Sequence, residues 1–166
     1  MKMLVLSDIH ANWPALDAVS RAEGSWDELT FCGDAVDYGP HPVECVRWLQ
    51  ANARHAIRGN HDNALATSQD CHCMGPYRPY SLATRAWHRT LLGADDVEYL
   101  RHLFAVDLFE WCGAHFRVGH ATPAGGLFEY VSPDAWEDLV AGLAADFVLL
   151  GHTHVQGCGR SGGRRS

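Results

Sequence analysis

Five short polar blocks constrain this chain more than anything else in it: Asp8-Ile9-His10, Gly33-Asp34, Gly59-Asn60-His61-Asp62, Gly119-His120 and Gly151-His152-Thr153-His154. Most follow an apolar run, namely Met3-Leu4-Val5-Leu6, Leu29-Thr30-Phe31, Phe116-Arg117-Val118 and Phe147-Val148-Leu149-Leu150. Short β-branched or leucine-rich runs of this kind read as buried strands. The loops leaving strand ends are where an α/β sheet gathers its functional groups. Oxygen and imidazole donors therefore recur where a fold of this class builds a site.

The stretches between the blocks complete the pattern. A strand over about Lys2 to Leu6 leads to a helix opened by Asn12-Trp13-Pro14, with Asn12 suited to an N-cap and Pro14 tolerated in a first turn. Leu16, Val19 and Ser20 share one face of it. A second strand runs over about Glu28 to Phe31, an amphipathic helix over Pro42 to Gln50, and a third strand over Arg54 to Ile57. A βαβαβ opening implies a parallel sheet with right-handed crossovers. Gln69 to Pro79 reads as a loop, followed by helices at Ser81 to Leu92 and Asp95 to His102 whose mixed apolar and basic spacing suits a cap over the site.

The pattern then turns to period two. Phe104 to Phe109, Glu110 to Cys112 and His115 to Val118 read as strands around a Cys112-Gly113-Ala114 turn. Ser132 caps a helix reaching about Ala144, and Phe147 to Leu150 is the last strand. Residues 157–166 have no apolar periodicity and read as a disordered basic tail, leaving residues 1–156 as one domain.

With 166 residues the chain is long enough for a single core. Its net charge of −7 argues against a nucleic-acid polymer as partner. No apolar stretch reaches the ~20 residues that cross a bilayer, and the N-terminal run is too short for a signal peptide. A cytoplasmic location with reduced cysteines is expected. Cys71-His72-Cys73 lacks the Cys-x-x-Cys spacing of structural zinc sites and reads as a surface loop.

Mixed carboxylate, amide and imidazole donors suit a borderline divalent metal, with Mn, Fe, Zn, Co and Ni all admissible. In Asp8-x-His10 and His152-x-His154 the donors stand two apart, so on a strand each pair would face one side. Asp34 has two oxygens with which to bridge two cations. Gly33, Gly59, Gly119 and Gly151 each precede a donor, as sharp turns or close backbone approach require. His41, His55, His72, His88, His102 and His115 match no such pattern and read as structural or exposed. Arg58 and Asn12 are candidate substrate contacts, although a solvated arginine and a helix cap explain them as well. Tyr38 and Tyr130 either line the pocket or pack.

These blocks, in this order, resemble the calcineurin-like metallophosphoesterase superfamily. Leu6-Ser7-Asp8-Ile9-His10-Ala11-Asn12 and Gly33-Asp34-Ala35-Val36-Asp37-Tyr38-Gly39-Pro40 resemble its small prokaryotic phosphodiesterase/phosphatase-like branch. The resemblance implies a four-layer α/β/β/α sandwich with mixed sheets and two divalent metal ions. Asp8, His10, Asp34 and His154 would hold the first ion; Asp34, Asn60, His120 and His152 would hold the second. His61 would be the general acid, oriented by Asp62. The implied substrate is a small phosphodiester or phosphomonoester, with a phosphoprotein phosphatase and a non-catalytic interaction scaffold on the same fold as alternatives.

Two departures from the family pattern stand out. His120-Ala121 replaces the common His-Gly. Family members also continue past Gly-His-x-His with several strands, whereas Val155 to Ser166 have no strand-forming composition. Two expectations stay open: an incomplete second sheet whose edge pairs with a second copy, or a poorly held His154. Either way the first metal site is expected to bind more weakly than the second.

Overall fold

A computed structural model of the chain describes residues 1–159; residues 160–166, which carry most of the expected basic tail, lie outside them. Strands β1 (Met3–Leu6), β2 (Glu28–Phe31) and β3 (His55–Ala56) form a parallel sheet in the order β1-β2-β3. Helices α1 (Trp13–Glu23) and α2 (Pro42–Asn52) are its crossovers. Both connections step the same way along the sheet, and right-handed crossovers then put both helices on one face. Leu4, Leu29 and Phe31 meet Val46 and Leu49 there in the larger core cluster, with Trp26 and Trp48 packed against it.

Helix α1 begins as its sequence requires. The Asn12 side-chain oxygen accepts from Ala15 N at 3.2 Å, and Pro14 sits in the first turn. Of the expected apolar face only Leu16 is buried; Val19 is exposed.

The second sheet has the order β4-β5-β6, with β4 (Val106–Trp111) antiparallel to β5 (Ala114–Gly119) and β5 parallel to β6 (Phe147–Leu149). The two strands expected between 104 and 112 are one, because a continuous ladder pairs Val106 through Trp111 with β5. Cys112 and Gly113 both take left-handed φ, as a two-residue hairpin turn needs. The helix expected from Ser132 to Ala144 is shorter: a 3-10 turn at Pro133–Ala135 leads into α6 (Trp136–Val140). Gly142, at φ 74°, turns the chain away from a helical path.

Where the sheets face each other, Cys32, Ile57 and Val118 form a small core with Phe109 and Leu149. His55 stacks on Phe109 at 3.5 Å and meets Asp107 at 2.7 Å. Helices α3 (Asn60–Thr67), α4 (Arg78–Leu91) and α5 (Ala94–His102) fill the connection between sheets. Among the described residues no helix is long and apolar enough to cross a membrane.

Candidate metal centre

The donor blocks sit just beyond strand ends, and backbone hydrogen bonds hold neighbouring blocks together there. Asp8 N donates to Gly33 O (2.9 Å), His10 N to Asp34 O (3.0 Å) and Gly151 N to His120 O (2.9 Å). The same-face argument from strand periodicity does not hold, since β1 ends at Leu6 and β6 at Leu149. Asp8, His10, His152 and His154 instead take left-handed φ of 53°, 47°, 70° and 54°, as does Asp34 at 65°. Such angles are uncommon outside glycine and concentrate where surrounding structure over-determines them. Each pair converges through a tight turn.

Asp34 is the centre of the arrangement. Its Oδ1 accepts from His61 N at 2.9 Å, at the start of α3. Its Oδ2 lies 3.2 Å from His120 Nε2 and 3.9 Å from His10 Nε2. On one side, His154 Nε2 stands 3.3 Å from His10 Nε2 and 3.2 Å from Asp8 Oδ1. On the other, Asn60 Oδ1 stands 3.0 Å from His120 Nε2, and His152 Nε2 is buried without a hydrogen-bond partner among the described residues. Asp8, His10 and His154 form one group able to take a metal ion; Asp34, His120 and His152 form another.

The outer contacts fix which nitrogen faces inward. His10 Nδ1 donates to Val36 O and His120 Nδ1 to Cys32 O, both at 2.8 Å, so that each Nε2 faces the cluster. Asn60 Nδ2 donates to Cys71 O at 2.8 Å, which turns its amide oxygen inward. A buried ring nitrogen with no partner, beside carboxylate and amide oxygens, fits a divalent cation.

The charges agree. Burial works to raise the Asp34 carboxyl, but the imidazoles of His120, His61 and His10 hold it well below the usual range. Burial likewise opposes charge on His120, yet Asp34 pushes it up to about 9. Burial, reinforced by His120, pushes His152 down to about 4.

His61 lies next to this cluster, its ring 5.0 Å from that of His10 and 5.1 Å from that of Tyr38. The orienting carboxylate is Asp37, not Asp62: His61 Nδ1 meets Asp37 Oδ2 at 2.6 Å. Ser81 (2.9 Å) and the Arg85 guanidinium also donate to that oxygen. Asp62 Oδ2 instead accepts from Asp34 N (2.8 Å) and Gly59 N (3.1 Å), and Oδ1 from Ala35 N (2.8 Å). It clamps the loop after β2 onto the start of α3. Its side chain is spent on backbone amides, and burial with the Asp34 charge pushes it up to about 6.

The two expected substrate contacts point elsewhere. Arg58 reaches Arg101 O at 3.2 Å, and Asn12 is used by the α1 cap. Tyr130 lies 4.2 Å from the His152 ring and Tyr38 4.9 Å from that of His10, so both aromatics flank the donors. The 71–73 segment is not a simple surface loop, because Cys71 and Cys73 are buried. Helix α4 caps the site as expected, through Ser81, Arg85 and His88. His88 Nε2 donates to Gly39 O (2.8 Å) and Nδ1 accepts from Asp37 N (3.2 Å). Asp37, Ser81, Arg85 and His88 were missed as site residues; only Asp37 carries a sequence signal, its place three residues after Asp34.

A profile of the calcineurin-like phosphoesterase family matches residues 1–156. An uncharacterized protein of Methanocaldococcus jannaschii is 27% identical over 154 residues, which are 91% of this chain and 61% of that protein. The metallophosphoesterase of Sphaerobacter thermophilus superposes with a TM-score of 0.77 at 29% identity, covering 93% of this chain and 61% of that one. A hypothetical protein of Pyrococcus horikoshii shares the fold, with a TM-score of 0.70 at 19% identity over 92% of this chain and 69% of that one. The chain thus spans about three fifths of the length of the first two.

Proposed function

Because this chain belongs to the calcineurin-like phosphoesterase family, we propose that it hydrolyses a small phosphodiester or phosphomonoester with two divalent metal ions. Asp8, His10, Asp34 and His154 hold the first ion; Asp34, Asn60, His120 and His152 hold the second. The observation that carries this reading is Asp34 Oδ2, a single oxygen flanked by the inward Nε2 of both His120 and His10. When bound, such ions acidify water and neutralise phosphoryl oxygens.

The chain's own residues supply the proton. His61 Nδ1 is engaged by Asp37, so Nε2 is the atom that gives a proton to the departing oxygen. Burial works against its charge, but the hydrogen bond it donates to Asp37 and the charges of Asp34 and Asp37 raise its pKa. An imidazole kept protonated to higher pH is the form a general acid needs. Tyr38 and Tyr130 border the space a phosphoester would occupy. A cytoplasmic setting, and a homo-oligomer joined through an edge of the second sheet, belong to the same proposal.

Metal analysis followed by turnover of bis-p-nitrophenyl phosphate and p-nitrophenyl phosphate with added Mn²⁺ tests it. Mn²⁺-dependent hydrolysis is expected, with His61→Ala lowering turnover by ~10²–10⁴ while both ions stay bound. Full metal occupancy with no turnover on either ester would point instead to an interaction scaffold.

A further inference from the structure

Cys71 and Cys73 are an adjacent pair of buried nucleophilic side chains that the proposed chemistry does not use. Only 1% of Cys71 and 3% of Cys73 is exposed, and their sulfurs lie 2.6 Å apart. His72 between them takes a left-handed φ of 54°, which folds the tripeptide so that both side chains point to one place. All six cysteines of the chain are free thiols, and a bond here needs a further approach of only about 0.5 Å. A cleft of about 590 Å³ lined by His72, Cys73, Met74, Gly75, Arg78 and Phe128 opens onto the Cys73 side. Cys73 therefore borders a space large enough for a small oxidant, although both thiols are buried.

The same segment supports the second metal site. Cys71 O accepts the Asn60 amide N–H at 2.8 Å, and that bond turns Asn60 Oδ1 toward His120. Cys71 Sγ also lies 3.7 Å from Ser81 Oγ, within the group that surrounds His61. His61, Cys71 and Cys73 are close enough together to hold a soft metal. His61 Nδ1, however, is already committed to Asp37, and the Arg85 guanidinium occupies the same corner. A second cation has no favourable place there.

We propose that Cys71 and Cys73 form a reversible disulfide under peroxide, and that this bond displaces the Cys71 carbonyl from Asn60 and weakens the second metal site. The Cys73 sulfur attacks one peroxide oxygen; an S–O bond forms as the O–O bond breaks, and the departing hydroxide takes the Cys73 thiol proton and leaves as water, yielding a sulfenic acid. The Cys71 sulfur then attacks the Cys73 sulfur; the S–S bond forms, the S–O bond breaks, and oxygen leaves as water with the Cys71 proton. Two electrons pass from the thiols to the peroxide. A dithiol reductant reverses the step by exchange. The consequence for the metal rests on the assignment of Asn60 as a ligand.

The full chain is treated with hydrogen peroxide, its remaining thiols are alkylated, and it is digested with trypsin. The peptide of residues 59–85 holds no cysteine but these two. It is expected lighter by two hydrogens and unalkylated, returning to the doubly alkylated form after dithiothreitol. A doubly alkylated or oxygen-bearing peptide, at peroxide levels that already consume the exposed Cys112 and Cys158, would overturn the proposal. Calorimetric titration with Mn²⁺ should show affinity reduced about 10–100-fold in the oxidised protein and restored on reduction. An oxidised peptide with unchanged Mn²⁺ affinity would remove the coupling. Cys73→Ser is expected to bind Mn²⁺ as the parent does and to ignore peroxide. Should that variant fail to fold, the parent's peptide mass and titration decide alone. Neither readout needs turnover, so failure of the hydrolase reading leaves this test intact.

Discussion

Asp37 and Asp62 both approach the segment that carries His61, and they serve it differently. Asp37 touches the imidazole itself, whereas Asp62 holds the backbone from which it springs. Asp37→Asn should lower kcat more than it raises KM. In the parent, the alkaline limb of the kcat profile should lie above the ordinary imidazole value of 6.5, because His61 must be protonated to act and its neighbours raise its pKa. Asp37→Asn removes a negative partner and should bring that limb down; an unmoved limb would take Asp37 out of the role. Asp62→Ala should instead cost about 3 kcal/mol or more in a denaturant melt, since three buried amides lose their acceptor. Metal binding has its own pH signature. With His120 pushed up to about 9, a cation at neutral pH must displace its proton. Apparent affinity for the second site should therefore climb ~tenfold per pH unit and level off near the His120 value. Calorimetry in buffers of different ionisation enthalpy would count the released proton.

Helix α4 contributes no donor to the metal-binding groups, yet the His61 side of the site is built on it. Ser81, Arg85 and His88 recur along one face and all meet the 37–39 turn. Arg89, near its end, caps α3 through the carbonyls of Ala64 and Leu65. His88→Ala strips partners from two backbone groups, Asp37 N and Gly39 O, and should cost about 2–4 kcal/mol. Because that turn carries Asp37, the folded fraction should also lose turnover. The loops follow a similar logic. Gly33 sits at φ 96°, and a Cβ there would stand 2.7 Å from both Gly59 N and His120 Nδ1. At Gly59 the conformation is ordinary, but a Cβ would collide with the Asp34 carboxylate. One glycine is needed for its dihedral and the other for its missing side chain.

At the scale of the molecule the site is a seam. Asp8, His10 and Asp34 follow strands of the first sheet, whereas His120, His152 and His154 follow strands of the second. Bound ions would tie the sheets together, so a chelator should lower Tm and Mn²⁺ should restore it; saturation at 100-fold over Kd is worth about 2.7 kcal/mol. The two halves of the seam are not equal. His154 leaves 56% of its side chain exposed, whereas His120 is fully buried. The first ion should accordingly titrate at higher concentration than the second, and equal affinities would count against this. The inter-sheet core of Cys32, Ile57 and Val118 is small. Ile57→Ala should cost about 2–5 kcal/mol and lower metal affinity with it, because it loosens the sheets on which the two donor sets stand.

The blocks of donors, their order and the βαβαβ opening could be read from the chain alone, because each is local: an apolar run, a turn, a polar residue fixed at its end. Asn12, Pro14 and Gly33 announce themselves in the same way, through capping and dihedral preferences that act within a few residues. Tertiary structure alone decided which carboxylate serves His61, since Asp37 reaches it across 24 residues and Arg85 reaches Asp37 across 48. It also decided that Asp8-x-His10 converges through left-handed turns instead of strand alternation, and that Cys71 and Cys73 turn inward beside Asn60. Such contacts follow from how helices pack over a sheet, and packing between distant segments leaves no period in the sequence to read.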